Sequence, residues 1–221
     1  MSDKLPVIVS TTSWKDRINT VGKTIYSVVR NCNPEKVCLT LSSDEFPGKE
    51  NDLPQNLLGF VESKMLDIIW IEKNIKCFKK ILFAMQKYPE YPIVSADDDC
   101  LYTENYAKFL YQHWLTDKSS IWSLSGFIDY KNRNYVHGPS ALYPPNCFKD
   151  IGIKYLGNKL ILSTWHDDVF YSVLAWRLGI NIKIVYSKRK VYVFHDCVNP
   201  LSREMTASIP IAVKVCLNEI Q

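Results

Sequence analysis

The chain has 221 residues, 47% of them hydrophobic and 23% charged, with 27 basic against 23 acidic side chains. That is one domain's worth of chain, able to bury a core without metal or disulfide staples, and the composition excludes a disordered tail, a coiled coil and a collagen-like fibre. A net charge of +4 falls short of the footprint of a dedicated nucleic-acid binder, and suits an anionic small ligand or a weak pull toward an anionic membrane surface.

Val7–Ser10, behind Pro6, reads as a buried strand. Val21–Arg30 follows as a helix with Val21, Ile25, Val28 and Val29 on one face, after the caps Asn19 and Thr20. Lys36–Leu41 is a second strand, Ser42–Pro54 a polar loop with two prolines, and Asp67–Ile71 a third strand. Asn74 caps an expected helix from Ile75 to Tyr88, with an apolar stripe of Ile75, Phe78, Leu82 and Met85. Pro92–Ala96 is a fourth strand and runs straight into Asp97-Asp98-Asp99. This alternation predicts an α/β class: a Rossmann-like, mostly parallel central sheet with helices on both faces. Such sheets bind ligands beyond the carboxyl ends of their strands, where the three aspartates and the Thr11–Arg17 loop both fall.

The second half is less regular. Thr103–Leu115 reads as a helix, Ile121–Leu124 as a strand, and Gly126–Pro145 as loops around short strands. Asp168–Leu178 is a helix with acidic residues at its start and Arg177 near its end, as the macrodipole prefers, stopped by Gly179. Ile182–Val185 and Val191–Phe194 read as strands. In Ser208–Gln221 the alternating apolar residues fit a strand, whereas Pro210 near a serine cap fits a helix, and helix is the expectation.

Seven cysteines, an odd number without a Cys-x-x-Cys, point to reduced, mostly buried thiols in a cytosolic protein. The opening Met-Ser-Asp-Lys-Leu-Pro lacks the apolar stretch of a signal peptide, and no segment approaches the ~20 apolar residues of a membrane span. The expected location is cytoplasmic.

Asp97-Asp98-Asp99 is the sharpest chemical feature. Adjacent carboxylates repel one another, and a divalent cation relieves that repulsion. In an extended segment Asp97 and Asp99 share one face, and Mg²⁺ or Mn²⁺ takes one or two carboxylates with waters and phosphates completing its shell. The competing reading is a solvated acidic turn. Trp165-His166-Asp167-Asp168 opens a helix, where one carboxylate serves as a cap and the other is placed to act as a general base. His195 leaves a strand near the same edge, in position either to complete an oxygen-rich metal site or to serve structurally. Arg17 lies in the first strand-to-helix loop, where a guanidinium meets phosphates or base edges. Lys79 is expected on a solvated helix face. Gly138, before a proline-ended segment, lets backbone approach a ligand. P-loop, dinucleotide-binding, Gly-x-Ser-x-Gly and His-Glu-x-x-His signatures are absent.

In order, the segments Val7–Ile18, Pro34–Ser42, Phe78–Leu82, Ile93–Asp99, Gly138–Pro145, His166–Phe170 and Phe194–Asp196 resemble the GT-A glycosyltransferases, in particular small bacterial enzymes of surface-polysaccharide synthesis. The resemblance spans about residues 7 to 196. It implies a single GT-A (nucleotide-diphospho-sugar transferase) domain over 1–221, with a nucleotide-binding half to about 100, an acceptor-side half to about 200 and a tail over 201–221. It implies Asp97 and Asp99 as the Asp-x-Asp pair holding Mn²⁺ or Mg²⁺, with His195 as the late metal ligand. Thr11, Thr12, Arg17 and Lys80 would hold the nucleotide, Asp98 the donor's ribose or sugar, and Gly138 the loop beside donor and acceptor. Asp168, with Asp167 as its rival, matches the base of inverting members, although Glu-Asp is the more usual pair there. The implied reaction moves sugar from a nucleotide sugar, a UDP-sugar foremost, to a saccharide or lipid-linked saccharide, with peripheral contact to the membrane and no nucleic acid. The alternatives are a sugar nucleotidyltransferase, disfavoured by the glycine-free loop after the first strand, and a non-catalytic carbohydrate-binding subunit.

Overall fold

Successive residues of a strand face opposite sides of a sheet, and here both sides are apolar. The computed structural model describes residues 3–129, 131–148, 151–188, 191–195 and 208–220. In β1 (Leu5–Thr12), Val7 and Val9 join one hydrophobic cluster and Ile8 the other. β2 (Pro34–Ser42) divides in the same way, with Val37, Leu39 and Leu41 against Cys38. A strand read as a continuous apolar run is therefore one buried on both faces.

β3 (Leu66–Ile71), β4 (Ile93–Ser95), β6 (Ile121–Ser123), β9 (Ala141–Tyr143) and β10 (Ile182–Ile184) complete a seven-stranded sheet of order β10-β6-β9-β4-β1-β2-β3. β9 runs antiparallel to both its neighbours, and the other pairings are parallel. α1 (Val21–Cys32), α2 (Gln55–Glu62) and α4 (Asn105–Trp114) contribute to one cluster. The other holds α3 (Leu82–Lys87), α6 (Lys159–Ser163), α7 (Asp167–Arg177) and α8 (Ile209–Glu219), with α5 (Ile151–Lys154) beside it. Two short antiparallel ribbons stand off the main sheet. One pairs β5 (Cys100–Tyr102) with β11 (Tyr192–Phe194), the other β7 (Gly126–Ile128) with β8 (Asn134–Val136).

The α/β architecture expected from the sequence is present, with three local differences. The stretch 75–88 is not one helix: a 3-10 turn, Lys76–Lys79, precedes α3. Lys76 sits in the left-handed region at φ 59°, which an α-helix does not tolerate, and Asn74 accepts from the Lys76 N–H at 2.8 Å and the Lys79 ammonium at 2.7 Å. The hydroxyls of Tyr171 and Ser10 donate to the carbonyls of Phe78 and Lys80, so tertiary bonds hold the broken geometry. α2, absent from the sequence expectation, is eight residues long with Leu57 as its one fully buried side chain, too short for a periodic signal. The aspartate triplet does not extend β4, which stops at Ser95; Asp98 and Asp99 form a turn, so the alternation argument for Asp97 and Asp99 lapses.

Cys32, Cys38, Cys77, Cys100, Cys147 and Cys216 are free thiols; Cys197 lies outside the described residues. Burial pushes the Cys38 and Cys216 thiols up to about 12, which leaves them unreactive. No helix among the described residues is long and apolar enough to cross a membrane.

Candidate functional site

β4 and β2 flank β1 in the sheet order, so chain connections leave β1 in opposite directions on its two sides. This is a topological switch point, the place beyond the carboxyl ends of the strands where open α/β sheets bind their ligands. β1 delivers Ser13 and Arg17 to that sheet edge, and β4 delivers the triplet.

Asp98 is the anchor of the turn. Arg17 donates to its Oδ1 at 2.7 Å and the Ser13 hydroxyl to its Oδ2 at 2.7 Å, so both carboxylate oxygens are engaged. Burial pushes this carboxyl above the ordinary aspartate range, against the pull of Arg17 and Ser13. Arg17 also reaches Asp99 at 3.4 Å. Asp97 turns the other way, to the Lys80 ammonium at 2.6 Å, and Lys80 bridges on to Asp167 at 3.2 Å. Burial works against the Lys80 charge, but Asp167, Asp97 and Asp168 together hold it well above the usual lysine range. The sheet edge and the start of α7 are thereby joined through one buried ammonium.

Ribbon register explains how His195, nearly a hundred residues away in sequence, reaches the triplet. β11 pairs Phe194 with Cys100 and Val193 with Leu101. One residue further, the His195 N–H donates to the Asp99 carbonyl at 2.9 Å. The imidazole Nε2 lies 3.3 Å from the Thr24 hydroxyl, which itself donates to the carbonyls of Asp98 and Cys100.

The opposite wall is the Gly138 loop. Gly138 adopts φ 83°, a conformation glycine takes without strain, and its N–H donates to Asp168 Oδ2 at 2.9 Å. His137 Nδ1 lies 3.8 Å from the same oxygen. Burial, reinforced by neighbouring Asp167, raises the Asp168 carboxyl well above its ordinary range, with Lys80 opposing. The two rivals at the start of α7 therefore differ: Asp167 is tied to Lys80, while Asp168 faces the Gly138 loop and is 23% exposed at its side chain against 12%.

One buried hydroxyl links the triplet to the Gly138 loop. Tyr102 accepts from the Asp97 N–H at 2.8 Å and donates to the Pro139 carbonyl at 3.1 Å. Its ring is fully buried against Tyr106. Tyr102→Phe keeps that packing and removes both bonds; the expected cost is about 1–3 kcal/mol, read as a lower melting temperature in thermal denaturation.

Sequence reasoning places most of these residues at one edge, and the structure brings Arg17, Lys80, Asp97, Asp98, Asp99, Gly138, Asp167, Asp168 and His195 into one connected set. Thr11 and Thr12 are spoken for differently: Thr11 is buried, and the Thr12 hydroxyl donates to the Thr40 carbonyl at 2.8 Å. Lys79, expected in solvent, is 1% exposed. It turns inward to Asn74 and lies 3.7 Å from Glu45, because the 3-10 turn rotates it off the outer face. Ser13, Thr24 and Tyr102 escape the sequence reading; of these only Ser13, in the loop before Arg17, carried a positional signal.

Among the described residues no three His, Cys, Asp or Glu side chains close into a metal cage. The donor set nonetheless fits a hard cation. Mg²⁺ and Mn²⁺ favour oxygen-rich sites and need few protein ligands when phosphates and water supply the rest, and Asp97 and Asp99 supply such oxygens, Asp97 now on Lys80 and Asp99 3.4 Å from Arg17.

No protein-family model matches the sequence, and no curated protein matches it significantly. Solved structures do match in shape. Staphylococcus aureus TarS 1-349 in complex with UDP-GlcNAc superposes with a TM-score of 0.64 at 12% identity, over 98% of this chain and 68% of that one. The mannosyltransferase PcManGT from Pyrobaculum calidifontis, in complex with GDP-Man and Mn²⁺, gives 0.56 at 13% identity, over 84% of this chain. This chain spans 56% of the length of that mannosyltransferase. A 4-diphosphocytidyl-2C-methyl-D-erythritol synthase from Anaerococcus prevotii gives 0.53 at 13% identity, over 96% of this chain and 97% of that one. These likenesses show the fold, GT-A and Rossmann-like.

Proposed function

We propose that this GT-A chain is a metal-dependent glycosyltransferase that moves a sugar from a nucleotide sugar, a UDP-sugar foremost, to a saccharide or lipid-linked saccharide, with inversion, in cell-surface polysaccharide synthesis. The observation that carries the reading is the Asp97–Lys80–Asp167 chain. It couples a carboxylate cluster at the switch point to the acidic start of α7, directly beside Asp168. Solved structures of this fold bind nucleotide sugars, UDP-GlcNAc in TarS and GDP-Man with Mn²⁺ in the mannosyltransferase.

Asp97 and Asp99 would hold Mn²⁺ or Mg²⁺ together with the donor's phosphates; His195 would join them as a third ligand only by turning its imidazole from Thr24, since the three do not close into a cage as they stand. When bound, the cation supplies electrostatic stabilisation to the departing nucleoside diphosphate. Arg17 and Asp98 keep the turn in place, and Lys80 adds a fixed positive charge behind it. Thr11, Thr12 and Asp98 act on the nucleotide side by holding the β1 edge and the turn rather than through free polar groups. Asp168 takes the proton of the acceptor hydroxyl as that oxygen attacks the anomeric carbon, and Gly138 positions its carboxylate.

The test is turnover of nucleotide sugars with and without Mn²⁺, in the wild type and in Asp97→Ala/Asp99→Ala. Metal-stimulated turnover in the wild type and its loss in the double variant are expected; equal turnover in both would remove the metal role. The whole-length match to a cytidylyl-type synthase favours a nucleotidyltransferase as second reading. The Thr11–Arg17 loop, which has no glycine, weighs against it, and pyrophosphate release from a nucleoside triphosphate would decide for it.

A further inference from the structure

Trp165 is a bulky residue in the left-handed region, at φ 58°, immediately before His166 and the start of α7. Side chains other than Gly, Asn and Asp rarely adopt that conformation, and it persists only where surrounding structure over-determines it. The neighbouring strand of chain does so. Lys76, itself left-handed at φ 59°, holds its ammonium 3.1 Å from the centre of the Trp165 ring. The Cys77 thiol donates to the Trp165 carbonyl at 3.5 Å. One turn on, Lys80 reaches Asp167 at 3.2 Å. The segment from Lys76 to Lys80 thus runs alongside the segment from Trp165 to Asp167, and Trp165 precedes Asp167 and Asp168 by two and three residues at the entry to α7. Despite the cation over one face, Trp165 remains 39% exposed, so two strained residues are spent on presenting an aromatic surface that the core does not use.

We infer that Trp165 is a stacking platform for the sugar ring of the acceptor, a pyranose laid with its C–H face on the indole and a hydroxyl directed toward Asp168. This rests on the glycosyltransferase reading and names the acceptor's chemical class within it. Lys76 fixes the ring's orientation by a cation–π contact. Indole suits this role, since it offers a large rigid apolar face at a wet boundary.

The experiment measures binding of methyl glucopyranoside, methyl galactopyranoside and methyl N-acetylglucosaminide by saturation-transfer NMR, with and without UDP and Mn²⁺. It compares wild type, Trp165→Asn and Trp165→Phe. Asn suits the left-handed backbone, so the first variant is expected to melt no lower than wild type. Affinity for at least one pyranoside is expected to fall roughly 2- to 12-fold in Trp165→Asn, the worth of one stacked ring, and to return in Trp165→Phe. Unchanged affinity in Trp165→Asn, no recovery in Trp165→Phe, or no pyranoside binding to the wild type would each overturn the inference. A thermal shift of the wild type by UDP and Mn²⁺ reads the underlying function separately: its absence removes the nucleotide-sugar reading, whatever the pyranosides do.

Discussion

Asp168→Asn is expected to lower transfer about 10²- to 10⁴-fold, the usual worth of a positioned general base, with the larger share of the loss in kcat. Asparagine keeps an oxygen to accept the Gly138 N–H, so the loop geometry survives and the variant isolates proton transfer from positioning. The pH profile gives the sharper reading. A base must be unprotonated to work, and the Asp168 carboxyl is raised by burial and by Asp167. Activity therefore rises as pH climbs through a value well above the ordinary aspartate range, and falls on the acid side of it. Steady-state rates measured from pH 5 to 9 ( sets the form of the profile) should show that limb in the wild type. A wild-type rate flat across the interval, or an Asp168→Asn variant within about threefold of wild type, would reassign the base to Asp167.

Arg17→Met should cost stability before it costs chemistry. Arg17 and Asp98 are 6% and 9% exposed at their side chains. Removing the guanidinium leaves a buried carboxylate with only the Ser13 hydroxyl. Breaking a buried pair from one side typically costs about 3–5 kcal/mol. In a chain of this length that corresponds to a melting point lower by roughly 6–20 °C. Arg17→Met with Asp98→Asn removes both charges, and should recover most of the loss. If the double variant melts no higher than Arg17→Met, then the guanidinium is held by packing rather than by Asp98. Because the same turn carries Asp97 and Asp99, the single variant is also expected to lose the metal response.

These two predictions rest on different kinds of knowledge. Asp97–Asp99 and Asp167–Asp168 stand out in the sequence because like charges in a row have no local structural use, and the apolar run before the triplet reads as a strand through side-chain periodicity alone. The end of a late apolar run sets His195 at the same sheet edge, but its contact with Asp99 is not legible in the sequence. The physical cause is the register of the β5–β11 ribbon, a pairing between segments about ninety residues apart. A helical stripe puts Lys79 in solvent because it assumes an unbroken helix; the break at Lys76 is held locally by Asn74 and, beyond the reach of the neighbouring sequence, by Tyr171 and Ser10. α2 went unread because a two-turn helix with one buried leucine carries almost no periodic signal.

The amino-acid order by itself determined the alternation of strands and helices, and hence a sheet whose strand ends gather the acidic residues, because hydrophobic periodicity is a local property of the chain. Which partner each carboxylate takes was decided only in three dimensions. Asp98 became a buried strut, Asp97 a partner of Lys80 and Asp168 the raised carboxyl beside Gly138, since burial and charge pairing are set by neighbours that the fold, and not the chain, brings within reach.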